Sequence, residues 1–120
     1  MIYSVMSMNQ TSNSLTRAGF LILLALGSGE KHGYALMREA RNLSDGEFQI
    51  GPATLYTTIQ RLLESGWIEE VAGPKNGDSR RRYYSLTSDG TRALHLELKR
   101  METMVRKSKA MRLRVAESAS

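Results

Sequence analysis

The segment from Gly51 to Gly66 is a helix with both of its ends written into the sequence, and what lies between them restricts the chain most. Pro52 suits a first helical position, where its missing N–H costs nothing and its fixed φ is already helical, and Ser65-Gly66 supplies the stop. Leu55, Ile59, Leu62 and Leu63 recur at i, i+4, i+7 and i+8, which gives one apolar stripe for a core. Off that stripe stand Thr54, Tyr56, Thr57, Thr58, Gln60 and Arg61. Threonine is a poor helix former, so three of them on one exposed face are not explained by helix propensity. Hydroxyls, an amide and a guanidinium can address phosphates and base edges, and the helix N-terminus offers amides to an anion. The alternative is an ordinary solvated surface.

The flanking segments complete a pattern. In "LTRAGFLILLALGSGE" apolar residues occupy most of the circumference, predicting a central buried helix that begins near Ser14 or Leu15 and ends at Gly27 and Gly29. "HGYALMREARNLSDGE" places Tyr34, Met37 and Ala40 along one line with Leu36 beside it, leaves Arg38, Glu39 and Arg41 outward, and closes in a connector rich in Asn, Ser, Asp and Gly. After the third helix, "WIEEVAG" predicts a strand, Gly73 to Ser79 a long turn, and Arg81 to Leu86 a returning strand in which Tyr83 and Tyr84 face opposite sides. Lys75 sits in the turn, and Arg80, Arg81 and Arg82 stand where it meets the strand, placed to clamp a phosphate backbone or enter a minor groove. Three helices, a strand, a loop and a strand are the order of a winged helix-turn-helix, a mainly α fold with a small antiparallel β-hairpin.

A long last helix follows, with Thr87 or Ser88 as its cap and Asp89 in its first turn. Leu94, Leu98, Met101 and Val105 make its apolar stripe. A helix of roughly 25 residues at 1.5 Å each outreaches so small a domain, and the same helix of a second copy is the economical partner. The expected divisions are a flexible arm over 1–13, a winged helix-turn-helix over 14–87, a dimerisation helix over 88–115 and a flexible tail over 116–120.

Other classes of function find little purchase. His32 and His95 are the only histidines, they are far apart, and there is no cysteine, so metal and thiol sites lack their ligands. His32 is expected to cap the second helix, and His95 to face solvent or the dimer seam. No serine has a nucleophile-elbow setting and "GSGE" lacks the end of a phosphate-binding loop, so an enzyme is not expected, nor a cofactor. The apolar runs are too short for a membrane span, and "MIYSVMSMNQ" does not have the layout of a signal peptide, so no membrane partner and a cytoplasmic location are expected. A net charge of +5 in 120 residues suits a polyanionic partner. A winged helix used for protein contact, with the basic surface serving solubility, is the competing class.

The chain resembles the PadR family of transcriptional regulators, in its short branch with a single C-terminal helix. The resemblance rests on "LILLAL" followed by "HGYALMRE", on "ATLYTTIQRLLESGWIE", on "RRRYYSLTSDG" and on the leucine/methionine helix after it, and it covers residues 15 to about 112. It implies a homodimer built through the C-terminal helix with help from the N-terminal one, acting as a repressor on a roughly palindromic double-stranded operator. It also implies that the helix bearing Thr54, Tyr56 and Thr57 enters the major groove while Lys75 and Arg80 to Arg82 touch backbone or minor groove. Gly51 stands where relatives carry Ser or Asn, which weakens the helix cap. A small apolar or aromatic effector is implied near Leu98, Met101 and Val105, although Met101 stands where a member that sandwiches flat aromatic molecules has tryptophan, and a thioether cannot supply that stacking platform.

Overall fold

The structure is a computed structural model and describes residues 15–75, 77 and 80–111. The elements are α1 (Arg17–Leu26), β1 (Lys31–His32), α2 (Gly33–Leu43), α3 (Pro52–Glu64), β2 (Ile68–Val71), β3 (Tyr83–Leu86) and α4 (Ser88–Met111). The expected arm over 1–13, the tail over 116–120 and the last positions, 112–115, of the expected final helix lie outside the described residues.

Helix α1 starts two to three residues later than its apolar pattern suggests, because Thr16 caps it, its hydroxyl accepting the Gly19 N–H at 3.0 Å. Its Ala18, Leu21, Ile22, Leu23, Ala25 and Leu26 are all buried, and it touches α2, α3, α4 and β3. Leu36 and Ala40 of α2, Leu55, Ile59 and Leu62 of α3, Ile68, Tyr84 and Leu94 close the same core. Each fully buried aliphatic side chain contributes roughly 1.5 to 3 kcal/mol. The predicted inward line of α2 is half right. Leu36 and Ala40 are in the core, whereas Tyr34 is exposed at 59%, its ring under the Arg38 guanidinium 5.3 Å away.

The sheet has a strand that the hydrophobic pattern does not announce. Lys31 and His32 pair antiparallel with Tyr84 and Tyr83, giving the order β1-β3-β2, while β2 and β3 form the expected hairpin with Glu70 opposite Tyr84 and Val71 opposite Tyr83. A two-residue strand is too short to show a period of two. Tyr84 is buried and Tyr83 half-buried, on opposite faces as expected. The returning strand begins at Tyr83 rather than Arg81, so the three arginines precede it.

The hairpin is joined to α4 by a close junction. Gly66 ends α3 at φ 77°, a conformation that glycine adopts without a steric penalty. Thr87 donates its hydroxyl to the Gly66 carbonyl at 2.6 Å, its N–H donates to the Trp67 carbonyl at 3.1 Å, and its Oγ1 accepts the Gly90 N–H at 3.0 Å, capping α4. Gly90 lies so close that any Cβ there would fall on the Trp67 carbonyl.

The expected dimer stripe of α4 divides in two. Leu94 is in the protomer's own core, and half-buried Leu98 packs against it, so both serve the fold whatever else they meet. Met101 is half-buried in a groove of about 400 Å³ with Leu15, Phe20, Leu21 and Phe48. Beyond it Met104 and Val105 are exposed, at 60% and 52%, as are Leu96 and Met111. Gly90→Ala should therefore lower stability by roughly 1 to 3 kcal/mol through overpacking against the main chain of Trp67. The urea midpoint of the purified variant measures this, and a midpoint equal to wild type would mean that the junction has room for a methyl group.

Candidate nucleic-acid interface

Helix α3 stands at the surface because only one side of it is apolar. Gly51 gives it no side-chain cap, which leaves the amides of its first turn, after Pro52 at N1, without that partner. Thr54, Tyr56, Thr57, Gln60 and Arg61 are exposed as expected, Tyr56 at 65%. The Gln60 amide reaches Glu64 at 3.4 Å, a weak tie along the helix surface.

Thr58 is a correction. It is 8% exposed and is enclosed between a hollow shared with Leu15, Thr16, Gly19 and Leu62 and another shared with Thr54, Thr57 and Arg61. The geometric reason is simple: Leu55, Thr58, Ile59 and Leu62 occupy i, i+3, i+4 and i+7, one side of a helix. The expectation set it off the stripe with the other hydroxyls, although i+3 from Leu55 is a core spacing.

Lys75, Arg80, Arg81 and Arg82 are exposed on the wing. Arg82 pairs with Glu70 at 3.5 Å, both largely in solvent, a contact worth little in stability. Arg81 Nη1 lies 3.0 Å from His32 Nε2. The three arginines converge with Tyr34, Tyr56, Tyr84, His32 and Gly33 on one cleft of about 320 Å³ between the wing, the start of α2 and the start of α3. Lys75 does not line it. Tyr34 and His32 are thus part of the arrangement, though the sequence pattern placed Tyr34 inward and gave His32 only a capping role. The geometry of that role is present, the Ala35 N–H lying 3.3 Å from His32 Nδ1. The signal that could have found Tyr34 is its place in the first turn of α2, directly after the strand that the pattern missed.

Burial holds the His32 imidazole below its ordinary value, with Arg81 and then Arg38 adding to the effect. Burial pushes the Tyr84 phenol up, helped by Glu70. Arginines and tyrosines lining one concavity suit an anion with many oxygens, a phosphate backbone above all. Among the described residues no group of three or more His, Asp or Glu is arranged to hold a metal ion, and no helix is long and apolar enough to cross a membrane.

The sequence profile of the transcriptional regulator PadR-like family matches residues 22–96, more than half of the chain. This chain belongs to the PadR-like family. A protein of Lysinibacillus sphaericus, described only as uncharacterized protein X, is 36% identical to this PadR-like chain over 70 residues, 58% of the chain and 64% of that relative, so under two thirds of the relative's length is spanned. A transcriptional regulator from Clostridium thermocellum shares the fold at a TM-score of 0.62 and 26% identity, over 74% of this chain and 84% of its own. Bacillus subtilis PadR, solved in complex with operator DNA, gives a TM-score of 0.58 at 22% identity over 67% of this chain and 45% of its own, a likeness of fold.

Within this PadR-like protein, Thr57 and Thr58 are neighbours in sequence with opposite environments. Thr58→Asp should cost roughly 3 kcal/mol by placing an unpaired carboxylate in the hollow beside α1, whereas Thr57→Asp should stay within about 0.5 kcal/mol of wild type. Equal thermal midpoints for the two variants would put Thr58 back on the outward face.

Proposed function

We propose that this regulator binds double-stranded DNA as a homodimer and represses transcription from a roughly palindromic operator. Residues 14–87 form the DNA-binding unit in this proposal, and residues 88–115 the dimerisation helix. The observation that supports it most is the convergence of Tyr34, Tyr56 and Arg80 to Arg82 on one cleft beside the exposed side of α3. Helix α3 enters the major groove, with Thr54 and Tyr56 on phosphates and Thr57, Gln60 and Arg61 toward base edges or the adjoining backbone. Lys75 and the wing arginines follow the backbone or minor groove, and the work is done in the cytoplasm. The operator-bound state of Bacillus subtilis PadR, a protein of like fold, is consistent with this arrangement. Thr58, being buried, takes no part.

The dimer is held by the outer half of α4, where Met104, Val105 and Met111 are exposed beyond the domain that Leu94 and Leu98 anchor. A small apolar or aromatic effector fits the groove at Met101, between Phe20 and Phe48. Phe48 stands in the segment that leads into α3, so a ligand there bears on the reading helix as well as on α4.

Titrating the protein with genomic DNA fragments at several salt concentrations tests the DNA-binding proposal. Log affinity should fall steeply with log salt, and Lys75→Ala should reduce that slope by roughly one, the loss of one phosphate contact. A level response to salt would favour the protein-contact module instead. For the dimer, changing Met104 and Val105 together to Glu should give monomers in light scattering while the thermal midpoint of the domain is retained, because neither side chain is in the core. A wild-type protein that is monomeric at tens of micromolar would remove the dimer from the proposal.

A further inference from the structure

The imidazole of His32 is claimed by two donors at once. Ala35 N–H faces Nδ1 at 3.3 Å, and Arg81 Nη1 faces Nε2 at 3.0 Å. A neutral imidazole has one bare nitrogen and one N–H, so only one of these contacts is a hydrogen bond at any moment, and a protonated ring accepts neither. The edge-to-face contact with Tyr83, 5.3 Å between centroids, fixes the plane of the ring. The groups around it are Arg81 of the wing, Tyr34 and Arg38 of α2, Tyr56 of α3, and Tyr83 and Tyr84 of β3, with Arg80 and Arg82 lining the same cleft. Glu70 of β2 is engaged with Arg82, and the neighbouring Lys31 turns its ammonium to the Ala25 carbonyl at 2.9 Å. No carboxylate among the described residues lines the cleft.

We infer that His32 is itself a ligand for a DNA phosphate, holding Arg81 in the free protein and, once Arg81 turns to the phosphate, presenting its own Nε2–H to the same group. The inference rests on the DNA-binding proposal above. Burial, Arg81 and Arg38 disfavour a charged ring in the protein alone. A phosphate reverses the balance, because it draws the Arg81 cation off Nε2 and places an anion within reach of it. The proton therefore binds more tightly in the complex than in the free protein. DNA binding takes up a proton, so affinity rises as pH falls through the interval between the two values and is level outside it.

Because a phosphate contact carries no sequence information, the probe is a random-sequence duplex of about 20 base pairs, titrated with the full chain at constant ionic strength from about pH 8 to about pH 5.5. Wild-type affinity should rise roughly threefold to tenfold toward the acid end, since one proton taken up gives at most about tenfold per pH unit. His95→Asn, on exposed α4, should keep the same profile. His32→Asn, whose side-chain oxygen can still cap α2, should be level across the range. Arg81→Gln removes the cation that faces the ring and should move the acid-side rise to higher pH, which also carries the test should the His32→Asn chain not fold. A level wild-type profile overturns the inference while leaving DNA binding in place. So does a His32→Asn protein weakened equally at every pH with the wild-type slope retained, for that is a structural role only. Absence of binding at every pH and salt concentration overturns the DNA-binding proposal, and the inference with it.

Discussion

Burial of α1 on nearly every side is the constraint from which the remaining positions follow. Ile22 and Leu23 are fully enclosed, and the helix meets α2, α3, α4 and β3 together. A helix with so little polar circumference has no stable place except a centre, and each neighbour contributes its own single stripe to cover it. Once the Leu55, Ile59 and Leu62 stripe faces α1, Thr54, Tyr56, Thr57 and Gln60 are left outside. Core packing selects the outward face, and the polar residues do not choose it for themselves.

The wing obeys a second restriction, imposed by main-chain contacts. Gly66, Trp67, Thr87 and Gly90 bring the end of α3, the hairpin and the start of α4 to one point, where Thr87 uses both its hydroxyl and its N–H. From there β3 runs beside β2 and carries the arginines back toward α2. The pairing of Lys31 and His32 with β3 then ties the wing to the first helix of the helix-turn-helix pair. The cleft is accordingly a meeting of three elements distant in sequence, which is why Arg81 and His32 touch across 49 positions.

That distinction explains what was legible in the sequence. The order of elements was legible because it follows from periodicity and punctuation: Pro52, Gly66 and the Tyr83 and Tyr84 alternation are each local. Thr16 was legible in principle as a cap, since a threonine just before a helix accepts a first-turn amide. What escaped depends on long-range contact or on overriding side-chain chemistry with geometry. β1 exists only through its pairing with β3. Tyr34 is thrown outward because the α2 side that meets the core is centred on Leu36 and Ala40, leaving the first turn at the sheet edge. Thr58 is set apart from the stripe by its hydroxyl, although i+3 from Leu55 is a core spacing, and the burial of Leu94 follows from the first two turns of a helix rooted at Thr87 meeting their own domain.

The division of α4 has a mechanical consequence. Its root is bound to the wing junction through Thr87 and Gly90, Leu94 and Leu98 hold its next turns to the core, and its outer turns expose Met104 and Val105. A single 24-residue helix carries all three, and over that length its rise is roughly 36 Å. The helix is continuous from its root to its outer turns. The groove at Met101 lies at the fulcrum, where α4 passes Phe20 of α1 and Phe48 of the segment before α3. Packed interiors tolerate discrete rearrangements better than gradual ones. A change of packing in that groove would bear on α4 and on the segment before α3 together, because both line it.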